Sequence, residues 1–560
     1  MKRSTVVAFV LLLAPISRAG AQQVRGIVTD SASRRPVPGA VLSLYAANNT
    51  VLGRNITNER GEFVLAGLGG AVRVRVQRIG FRPRDLPLPA AGSDVTLNVA
   101  LLSLPTFLEP VRVTANACPR RSDEGSALAL LEQARAALLN SVVARETKPA
   151  TMVLYTYDRT MNGTTERIAR QVVRADSSYR VAVSFSAVFG ASDFVERGFM
   201  RGASDGLTFY APDADVLLSD AFATGYCFRL MAPDRTRPNQ LGLRFSPADR
   251  KRDRIDVDGA LWIDTAARAL RDIEFKFAGL DRTIEQHEPG GTLSFREMSN
   301  GTVLVDHWTL RLIGVFQDTV PAATLSPGPR VTVRNNFYVQ VSGGELAHAV
   351  WRDGSSWHAQ LGFLDARLVG RNGRPATEHS AALPETPYRA TPDSTGRIIL
   401  RDLVPGAYSL VLIDTALARI NLTIPTDLRF GTQRDSLALT VKVPTLEEFV
   451  TDRCMADRTF RYSLGDSTRV LARVLDAAGK PIDGVSWRIH QKPSDPVSNW
   501  VLLREGGRTG TDGIIHFCDA RMRRGAELRI EAWKSGVGEA RAVFPLRHRV
   551  NVVPISLTRP

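Results

Sequence analysis

The sequence has few of the residues that build metal and catalytic sites. Its 560 residues include four cysteines and eight histidines, and neither type forms a CxxC or an HExxH motif. We identify no nucleophile elbow and no glycine-rich loop before a helix. No motif therefore indicates acyl-transfer or phosphoryl-transfer chemistry. We therefore expect no catalytic residue, no metal ligand and no cofactor, and we predict that the protein is not an enzyme.

Long apolar runs are also missing beyond the N-terminus. A basic start (MKR) precedes the short apolar segment Val6–Leu13, and Ala19–Ala21 fits a small-x-small cleavage site. This pattern predicts a secretory signal peptide, residues 1–21, cleaved between Ala21 and Gln22. No cysteine lies near the cleavage site, which argues against a lipoprotein anchor, and no later stretch is apolar enough for a transmembrane segment. We expect the mature chain in the periplasm or outside a bacterial cell, and association with the outer membrane stays open.

Positive charge is in excess, with a formal net charge of +15 at pH 7 that arginine mostly supplies. Such an excess suits an anionic partner, either nucleic acid, lipid headgroups or acidic glycans, or it reflects arginines scattered over solvated faces. Asp253 interrupts the densest basic run, Arg250–Arg254. We therefore favour scattered charges and expect no nucleic-acid partner.

Residues 24–103 form the first predicted module. Thr57–Val76 holds a turn ending at Gly61 and two stretches of alternating apolar residues, which predict a β-hairpin with one apolar face. Strands at Val24–Asp30 and Asp94–Leu101 flank it. About seven short strands in this length indicate a small β-sandwich.

The motifs of this module resemble a known family. They are Gly26-x-Val28-x-Asp30, Pro36, Pro38-Gly39-Ala40, Thr57-x-x-x-Gly61-x-Phe63, Leu68 and Ile79-Gly80-Phe81. Together they resemble the carboxypeptidase regulatory-like domain, a transthyretin-like sandwich that also opens many TonB-dependent outer-membrane receptors. The resemblance implies a non-catalytic role, and the zinc site of the carboxypeptidases themselves is not carried over.

Residues 104–121 are predicted to be a linker. Within them Leu108–Ala115 resembles the TonB-box-like segment that follows this domain in such receptors. Neither a plug nor a run of amphipathic strands long enough for a large barrel follows. We favour an extended linker, and an accessory role in TonB-linked uptake is the alternative.

Residues 122–345 are predicted to form a larger domain with one helix and a β-rich remainder. The helix lies within Ser122–Ala144, where Leu128, Leu131, Ala134 and Leu138 share one face. Asp256–Phe277 indicates a hairpin in a wide antiparallel sheet. A helix followed by such hairpins resembles the half-barrel of lipoprotein carriers. Its concave face would hold an acyl chain or be filled by the helix itself, and we favour the second.

Residues 346–445 and 466–560 repeat the theme of the first module, and residues 446–465 form a second linker. Asp393–Leu400 mirrors Asn58–Leu65, and Thr511–Phe517 follows the same order. These repeats indicate internal duplication. The fold class predicted is mainly β and multi-domain, with immunoglobulin- or transthyretin-like sandwich modules and one larger helix-plus-antiparallel-sheet domain.

Four cysteines in an exported chain usually pair. Cys118 and Cys454 follow equivalent tails of two modules, and Cys227 and Cys518 each lie downstream. The economical pairing is Cys118–Cys227 with Cys454–Cys518, and each bridge would contribute about 2–4 kcal/mol. A zinc or redox site is the alternative, but it lacks a supporting cluster.

The remaining candidates for chemistry are weak. Asp256, Asp258 and Asp264 bracket the predicted hairpin and either bind calcium or are solvated, and the second is commoner. His348 and His358 are dispersed and suit surface or core positions. We therefore predict a non-catalytic binding or scaffolding protein of the bacterial envelope, with a protein or glycan partner. A lipid-carrying or hydrolytic middle domain is a further alternative.

Overall fold

The computed structural model describes residues 23–66, 69–89, 94–104, 124–176, 185, 189–203, 206–249, 254–321, 331–456, 467–492, 497 and 499–558. The chain divides into two compact units: Met1–Glu166 with Asp176–His358, and Arg167–Ala175 with Ala359–Pro560. The chain is mainly β with several sheets, as predicted. Among the helices described, none is long and apolar enough to cross a membrane.

The first unit begins with a two-sheet sandwich. Its strands are β1 (Gln23–Asp30), β2 (Val41–Ala46), β3 (Val51–Ile56), β4 (Glu62–Ala66), β5 (Ala71–Gln77), β6 (Arg84–Pro87) and β7 (Val95–Leu101). One sheet has the order β4-β1-β7 and the other β3-β2-β5-β6. Strands β1 and β7 are parallel, and the remaining pairs are antiparallel.

The predicted hairpin at Thr57–Val76 is wrong. Strand β4 pairs with β1, whereas β5 pairs with β2 and β6 in the facing sheet. Phe63 and Leu65 of β4 share one buried cluster with Val74 and Val76 of β5. The two apolar faces therefore meet across the core rather than lying side by side in one sheet.

The rest of the first unit is a helix packed on a large sheet. Its elements, with β9 of the second unit between them, are α1 (Glu124–Thr147), β8 (Ala150–Asn162), β9 (Ile168–Asp176), α2 (Ala191–Arg197), β10 (Met200–Ala203), β11 (Gly206–Phe209), α3 (Ala214–Leu218), α4 (Asp220–Gly225), β12 (Tyr226–Leu230), β13 (Gln240–Pro247), β14 (Asp256–Asp264), β15 (Ala269–Ala278), α5 (Arg282–Glu285), β16 (Gly290–Glu297), β17 (Val303–Pro321), β18 (Val331–Trp351) and β19 (Ser356–His358). In the large sheet β12 to β18 follow one another in chain order, and β8 pairs with β18. The hairpin expected at Asp256–Phe277 is the antiparallel pair β14–β15.

The large sheet extends beyond the predicted boundary at residue 345. Strand β18 runs from Val331 to Trp351 and pairs with β8 over Ala150–Asn162. The first unit consequently reaches His358. The partner strand β8 lies far from β18 in the sequence. A local pattern of apolar residues therefore does not reveal where β18 ends.

Helix α1 covers the large sheet. Leu131, Ala134 and Leu138 are buried in one cluster with sheet residues such as Phe275 and Leu293. The apolar face of the helix thus packs against the sheet, which agrees with the favoured alternative that the helix itself fills this space.

The second unit holds two further sandwiches. Their elements are β20 (Gly362–Gly370), β21 (Ser380–Ala382), β22 (Arg389–Ala390), β23 (Arg397–Leu403), β24 (Gly406–Ile413), α6 (Thr415–Ala418), β25 (Ile424–Thr432), β26 (Ser436–Val443), α7 (Leu446–Ala456), β27 (Arg469–Leu475), β28 (Ser486–Lys492), β29 (Val501–Arg508), β30 (Ile514–Cys518), β31 (Glu527–Lys534), β32 (Gly538–Pro545) and β33 (Val550–Ser556). The sheet orders are β23-β20-β26 with β22-β21-β24-β25, and β30-β27-β33 with β29-β28-β31-β32. Both sandwiches thus repeat the strand order of the first.

Helix α7 lies in residues predicted as the linker 446–465. Thr445 Oγ1 accepts a hydrogen bond from the Glu448 backbone N–H at 3.2 Å, and Glu448 Oε2 accepts one from the Thr445 N–H at 2.8 Å. This reciprocal pair is a capping box, which starts a helix at the sequence Thr-x-x-Glu. The sequence therefore held a helix signal that the linker prediction did not use.

The three sandwiches share one backbone contact between the first strand and a turn. The N–H groups of Val28, Leu368 and Val474 donate to the carbonyls of three turn glycines, at 2.8, 2.7 and 2.8 Å. Those glycines are Gly61, Gly396 and Gly513, and all have positive φ angles of 66–78°. A Cβ on each would lie 2.4–2.7 Å from the carbonyl oxygen of the same first-strand residue. Glycine is therefore required there both by the backbone conformation and by the close contact.

Replacing Gly396 by alanine should destabilise the second sandwich more than replacing Gly373. Both glycines have positive φ, 78° and 76°, which costs alanine about 1–2 kcal/mol. A Cβ at Gly373 meets nothing within 4 Å, whereas one at Gly396 lies 2.4 Å from the Leu368 oxygen. We expect G373A to cost about 1–2 kcal/mol and G396A about 3 kcal/mol or more, since the backbone bond is also disturbed. Urea unfolding of both variants measures this, and equal losses would contradict the proposed contact.

A buried polar side chain joins the first sandwich to the helix-and-sheet domain within the first unit. Asn140 of α1 is 3% exposed. Its Nδ2 donates to the carbonyls of Gly39 at 2.8 Å and Gly301 at 2.9 Å, and its Oδ1 accepts from the Val303 N–H at 2.8 Å. Beside it, Arg78 of the first sandwich makes a bidentate ion pair with Glu297, at 2.6 and 2.7 Å. The two domains therefore form one compact body.

The variant N140A should destabilise the first unit strongly. It leaves two carbonyls and one N–H buried without their partner, and each such group costs about 1–3 kcal/mol. We expect a loss of about 3 kcal/mol or more in the free energy of unfolding. The matched control on the same helix is E132A, because Glu132 is half exposed and the ion pair that it forms with Arg135 is weak at 3.6 Å. If the two variants unfolded at the same urea concentration, Asn140 would not hold this joint.

Candidate functional site

The second unit contains an open cleft of about 620 Å³, which we call the sandwich cleft. Strand β9 forms one wall, and three stretches of the second sandwich form the others. The lining comes from residues 168–171, 383–386, 407–409 and 429–431. The Val173 N–H donates to the Glu385 carbonyl at 2.9 Å, which fixes β9 against the sandwich.

An ion pair closes one side of the sandwich cleft. Arg170 Nη2 lies 2.6 Å from Glu385 Oε1, and its Nε lies 3.0 Å from Oε2. This bidentate contact lowers the pKa of the Glu385 carboxyl, chiefly through the hydrogen bonds from Arg170. Both side chains remain largely solvated. At neutral pH the Glu385 carboxylate is therefore negatively charged, and the positive charge of Arg170 balances it.

Aromatic rings form the floor of the cleft. The rings of Tyr408 and Phe430 lie 5.5 Å apart between centroids. Tyr408 is buried, and its hydroxyl donates to the Val404 carbonyl at 2.6 Å. Tyr388 packs edge-on against Tyr408 and donates its own hydroxyl to the Asp402 carbonyl at 2.7 Å. These bonds hold the rings in place before any ligand arrives.

Arg429 supplies the charge that the cleft leaves uncompensated. It faces Ser409 across strands β24 and β25. Arg429 is exposed, and it forms no ion pair with a carboxylate of the described residues. The cleft therefore offers one available guanidinium, the Ser409 hydroxyl and an aromatic floor. A guanidinium of this kind binds carboxylates through paired, charge-assisted hydrogen bonds.

This cleft could not be recognised in the sequence. Neither Arg170, Glu385 nor Arg429 lies in a recognisable motif, and the chain brings Arg170 to Glu385 across more than two hundred residues. Strand β9 itself was not predicted.

Cys454 and Cys518 form the predicted disulfide, with their Cα atoms 6.1 Å apart. It ties α7 to β30 and so joins the tail of the second sandwich to the third. Cys227 is buried at the start of β12. Cys118 lies outside the described residues, so the pairing Cys118–Cys227 stays a prediction.

The three aspartates considered for calcium have other partners. Asp256 is buried, accepts a hydrogen bond from the Tyr226 hydroxyl at 2.7 Å and pairs with Arg254. Burial of the phenol and the adjacent carboxylate raise the pKa of Tyr226. Asp258 pairs with Arg244 at 3.1 Å and Asp264 with Arg271 at 3.1 Å. Each carboxylate is thus held by a cation of the protein.

His348 and His358 face one another across β18 and β19, with stacked rings 3.8 Å apart.

One motif with a catalytic spacing was missed in the sequence. Residues 202–206 read Gly-x-Ser-x-Gly, the spacing of a nucleophile elbow. Strands β10 and β11 pair there as a hairpin, whereas a nucleophile elbow needs a turn from a strand into a helix. Ser204 itself lies outside the described residues, as do residues 1–22, with the signal cleavage site, and the TonB-box-like segment Leu108–Ala115.

Comparisons with solved structures return several pilins and the Bacillus anthracis TIE protein, all at very low similarity. The Bacillus anthracis TIE protein is 10% identical, and the match covers 73% of this chain and 83% of that one with a TM-score of 0.14. A streptococcal ancillary pilin is 11% identical over 41% of this chain and 82% of its own, with a TM-score of 0.14. BcpA, the major pilin subunit of Bacillus cereus, is 7% identical over 75% and 99%, with a TM-score of 0.12. At these scores we draw no functional conclusion from the matches.

No curated protein shows significant similarity to the chain. The sequence profile of one family does match, over residues 23–102, which include all seven strands of the first sandwich. Gly26 of the motifs identified in the sequence lies within β1, and the other glycines and the prolines of those motifs lie in the turns of that sandwich. Residues 23–102 are therefore a carboxypeptidase regulatory-like domain.

Proposed function

We propose that this protein is an exported, non-catalytic binding protein of the bacterial envelope, and that its sandwich cleft binds an acidic glycan. The disulfide between Cys454 and Cys518 supports export, because such bonds persist in oxidising compartments. The periplasm or the cell exterior, reached through cleavage between Ala21 and Gln22, is the compartment we propose. The firmly joined domains within each unit suit a scaffold that presents a site.

The observation that carries the proposal is that the available Arg429 lines the same cleft as the rings of Tyr408 and Phe430. The uronic acids and related sugars of envelope glycans carry a carboxylate on a ring with apolar C–H faces. Arg429 would bind the carboxylate while Phe430 packs against the ring, and Ser409 would bond to a sugar hydroxyl. The open shape of the cleft suits one residue of a longer chain rather than an enclosed small molecule.

The Arg170–Glu385 pair affects how strongly the cleft favours an acidic sugar. Because Glu385 is neutralised by Arg170, the cleft as a whole keeps the positive charge of Arg429. Removing the carboxylate would free a second guanidinium at the same cleft. The charge of the site therefore depends on one residue that can be changed without touching the aromatic floor.

The mature chain should bind oligogalacturonic acid more tightly than an uncharged cello-oligosaccharide of equal length. R429A should weaken binding of the acidic probe about tenfold or more, since a hydrogen bond to a charged group contributes about 1.5–3 kcal/mol. E385Q should tighten it, because Arg170 is then unpaired. Isothermal titration calorimetry measures both effects.

The matched control is R401A, which removes an exposed arginine from β23 in the opposite sheet of the same sandwich. It should leave the affinity unchanged. Failure of the unmodified chain to bind the acidic probe, or equal binding by the R429A chain, would contradict the proposal.

A further inference from the structure

Three loops meet at one end of the third sandwich. Lys492 at the end of β28 lies opposite Glu527 at the start of β31, and Glu527 lies opposite Pro545 at the end of β32. The strand ends Gln491 and Val501 are likewise opposite one another. The loops that leave β28, β30 and β32 consequently share this end of the sandwich.

Backbone bonds fix two of these loops side by side. The Gly525 N–H donates to the Leu546 carbonyl at 3.0 Å, and the Leu546 N–H donates to the Ala526 carbonyl at 2.9 Å. Arg521 Nη2 donates to the Leu503 carbonyl at 3.2 Å, which connects the first strand residues of β29 to the same loops. We call this surface, formed by residues 519–526, 546–549 and the described residues of 497–502, the basic end.

The basic end concentrates positive charge that is not visible as one run in the sequence. Two short basic stretches, Arg521–Arg524 and Arg547–Arg549, come together there. Its described residues include five arginines, Arg521, Arg523, Arg524, Arg547 and Arg549, and one carboxylate, Asp519. The excess is local and exposed.

Three of the arginines have no carboxylate partner among the described residues. Arg521 is paired with Asp519 at 2.7 Å, and Arg549 lies 3.3 Å from Glu447. Arg523, Arg524 and Arg547 are exposed and make no such pair. Their guanidinium groups can therefore form bidentate bonds with phosphate at no cost in existing ion pairs.

Exposed apolar side chains lie at the same end. Val497 is 88% exposed, Val501 54% and Leu502 45%. The Trp500 indole is partly covered by the Arg529 guanidinium, 4.7 Å from the ring. Apolar residues this exposed, next to arginine, are typical of proteins that rest on a membrane surface.

We propose that the basic end docks on the anionic headgroups of a phospholipid membrane. Arg523, Arg524 and Arg547 contact phosphates, and Val497 and Val501 enter the interface between headgroups and acyl chains. An acidic polysaccharide would use the arginines equally well but would leave the valines in water. The combination of both features favours a membrane, and this surface is separate from the sandwich cleft.

The test is sedimentation of the mature chain with vesicles of phosphatidylcholine, with and without phosphatidylglycerol. Each arginine near an anionic surface contributes roughly a fivefold gain in partitioning. The triple variant R523A/R524A/R547A should therefore lose about a hundredfold in binding to the anionic vesicles. Raising the salt concentration should weaken binding of the unmodified chain, because screening acts on exposed charges. V497S/V501S should reduce the binding that remains at high salt.

The matched control removes the same charge elsewhere. Arg389, Arg401 and Arg419 of the second sandwich are exposed and form no ion pair with a described carboxylate. R389A/R401A/R419A should keep the affinity of the unmodified chain, and both triple variants should unfold at unchanged urea concentrations. R429A should also bind vesicles normally, which separates this proposal from the glycan cleft.

Two outcomes would overturn the proposal. Equal vesicle binding by the two triple variants would show that net charge rather than the basic end is responsible. Binding to soluble polygalacturonate that R523A/R524A/R547A abolishes, with none to anionic vesicles, would assign the surface to an acidic polysaccharide instead.

Discussion

Each sandwich of this protein depends on a single residue near the end of its first strand. The N–H of Val28, Leu368 or Val474 donates to a glycine carbonyl in one turn, and the carbonyl of the same residue accepts a hydrogen bond from the loop on its other side. Those loop bonds come from Val37, Ala376 and Ile482, at 2.9, 3.0 and 3.0 Å. One residue thus fixes two of the loops that carry the chain between the two sheets. The first and last strands pair in parallel in all three copies.

This contact explains which parts of the fold could be predicted from the sequence. The glycines and prolines of the turns have local causes, since a positive φ angle requires glycine whatever lies further along the chain. They therefore revealed three copies of one module, and the family profile agrees for the first. The pairing of strands has distant causes. Alternating apolar residues show that β4 and β5 each have one buried face, but not whether the two strands are neighbours or face one another across the core.

The candidate sites could not be predicted from the sequence for the same reason. The sandwich cleft needs Arg170 beside Glu385, and the basic end needs Arg523 beside Arg547, and in each case the tertiary fold supplies the proximity. The helix α1 and the bridge between Cys454 and Cys518 could be predicted, because the first has its own apolar period and the second follows from duplicated tails. Helix α7 has a capping box, but its residues were predicted as linker because they repeat the tail that follows the first sandwich.

In both units a helix that comes later in the chain than a sandwich makes the joint. Val143 and Ala144 of α1 pack against Val41 and Ile56 of the first sandwich. Helix α7 follows the second sandwich and is bonded to the third through Cys454. The first joint relies on buried hydrogen bonds and the second on a covalent bridge. Both replace a flexible connection by a fixed one, which is what a protein needs if it is to hold separate binding surfaces in constant geometry.

The large positive charge of the chain is explained by the same arrangement. On the outer face of the third sandwich, Glu531 lies among Arg529 of its own strand and two arginines of the neighbouring strands, Arg488 and Arg541. Arg78 and Arg254 are paired within the first unit. Such arginines have carboxylate partners that the fold supplies. Arg523, Arg524 and Arg547 of the basic end and Arg429 of the sandwich cleft have none among the described residues. The fold thus pairs much of its charge internally, and part of the remaining positive charge lies at two surfaces where an anionic ligand can reach it.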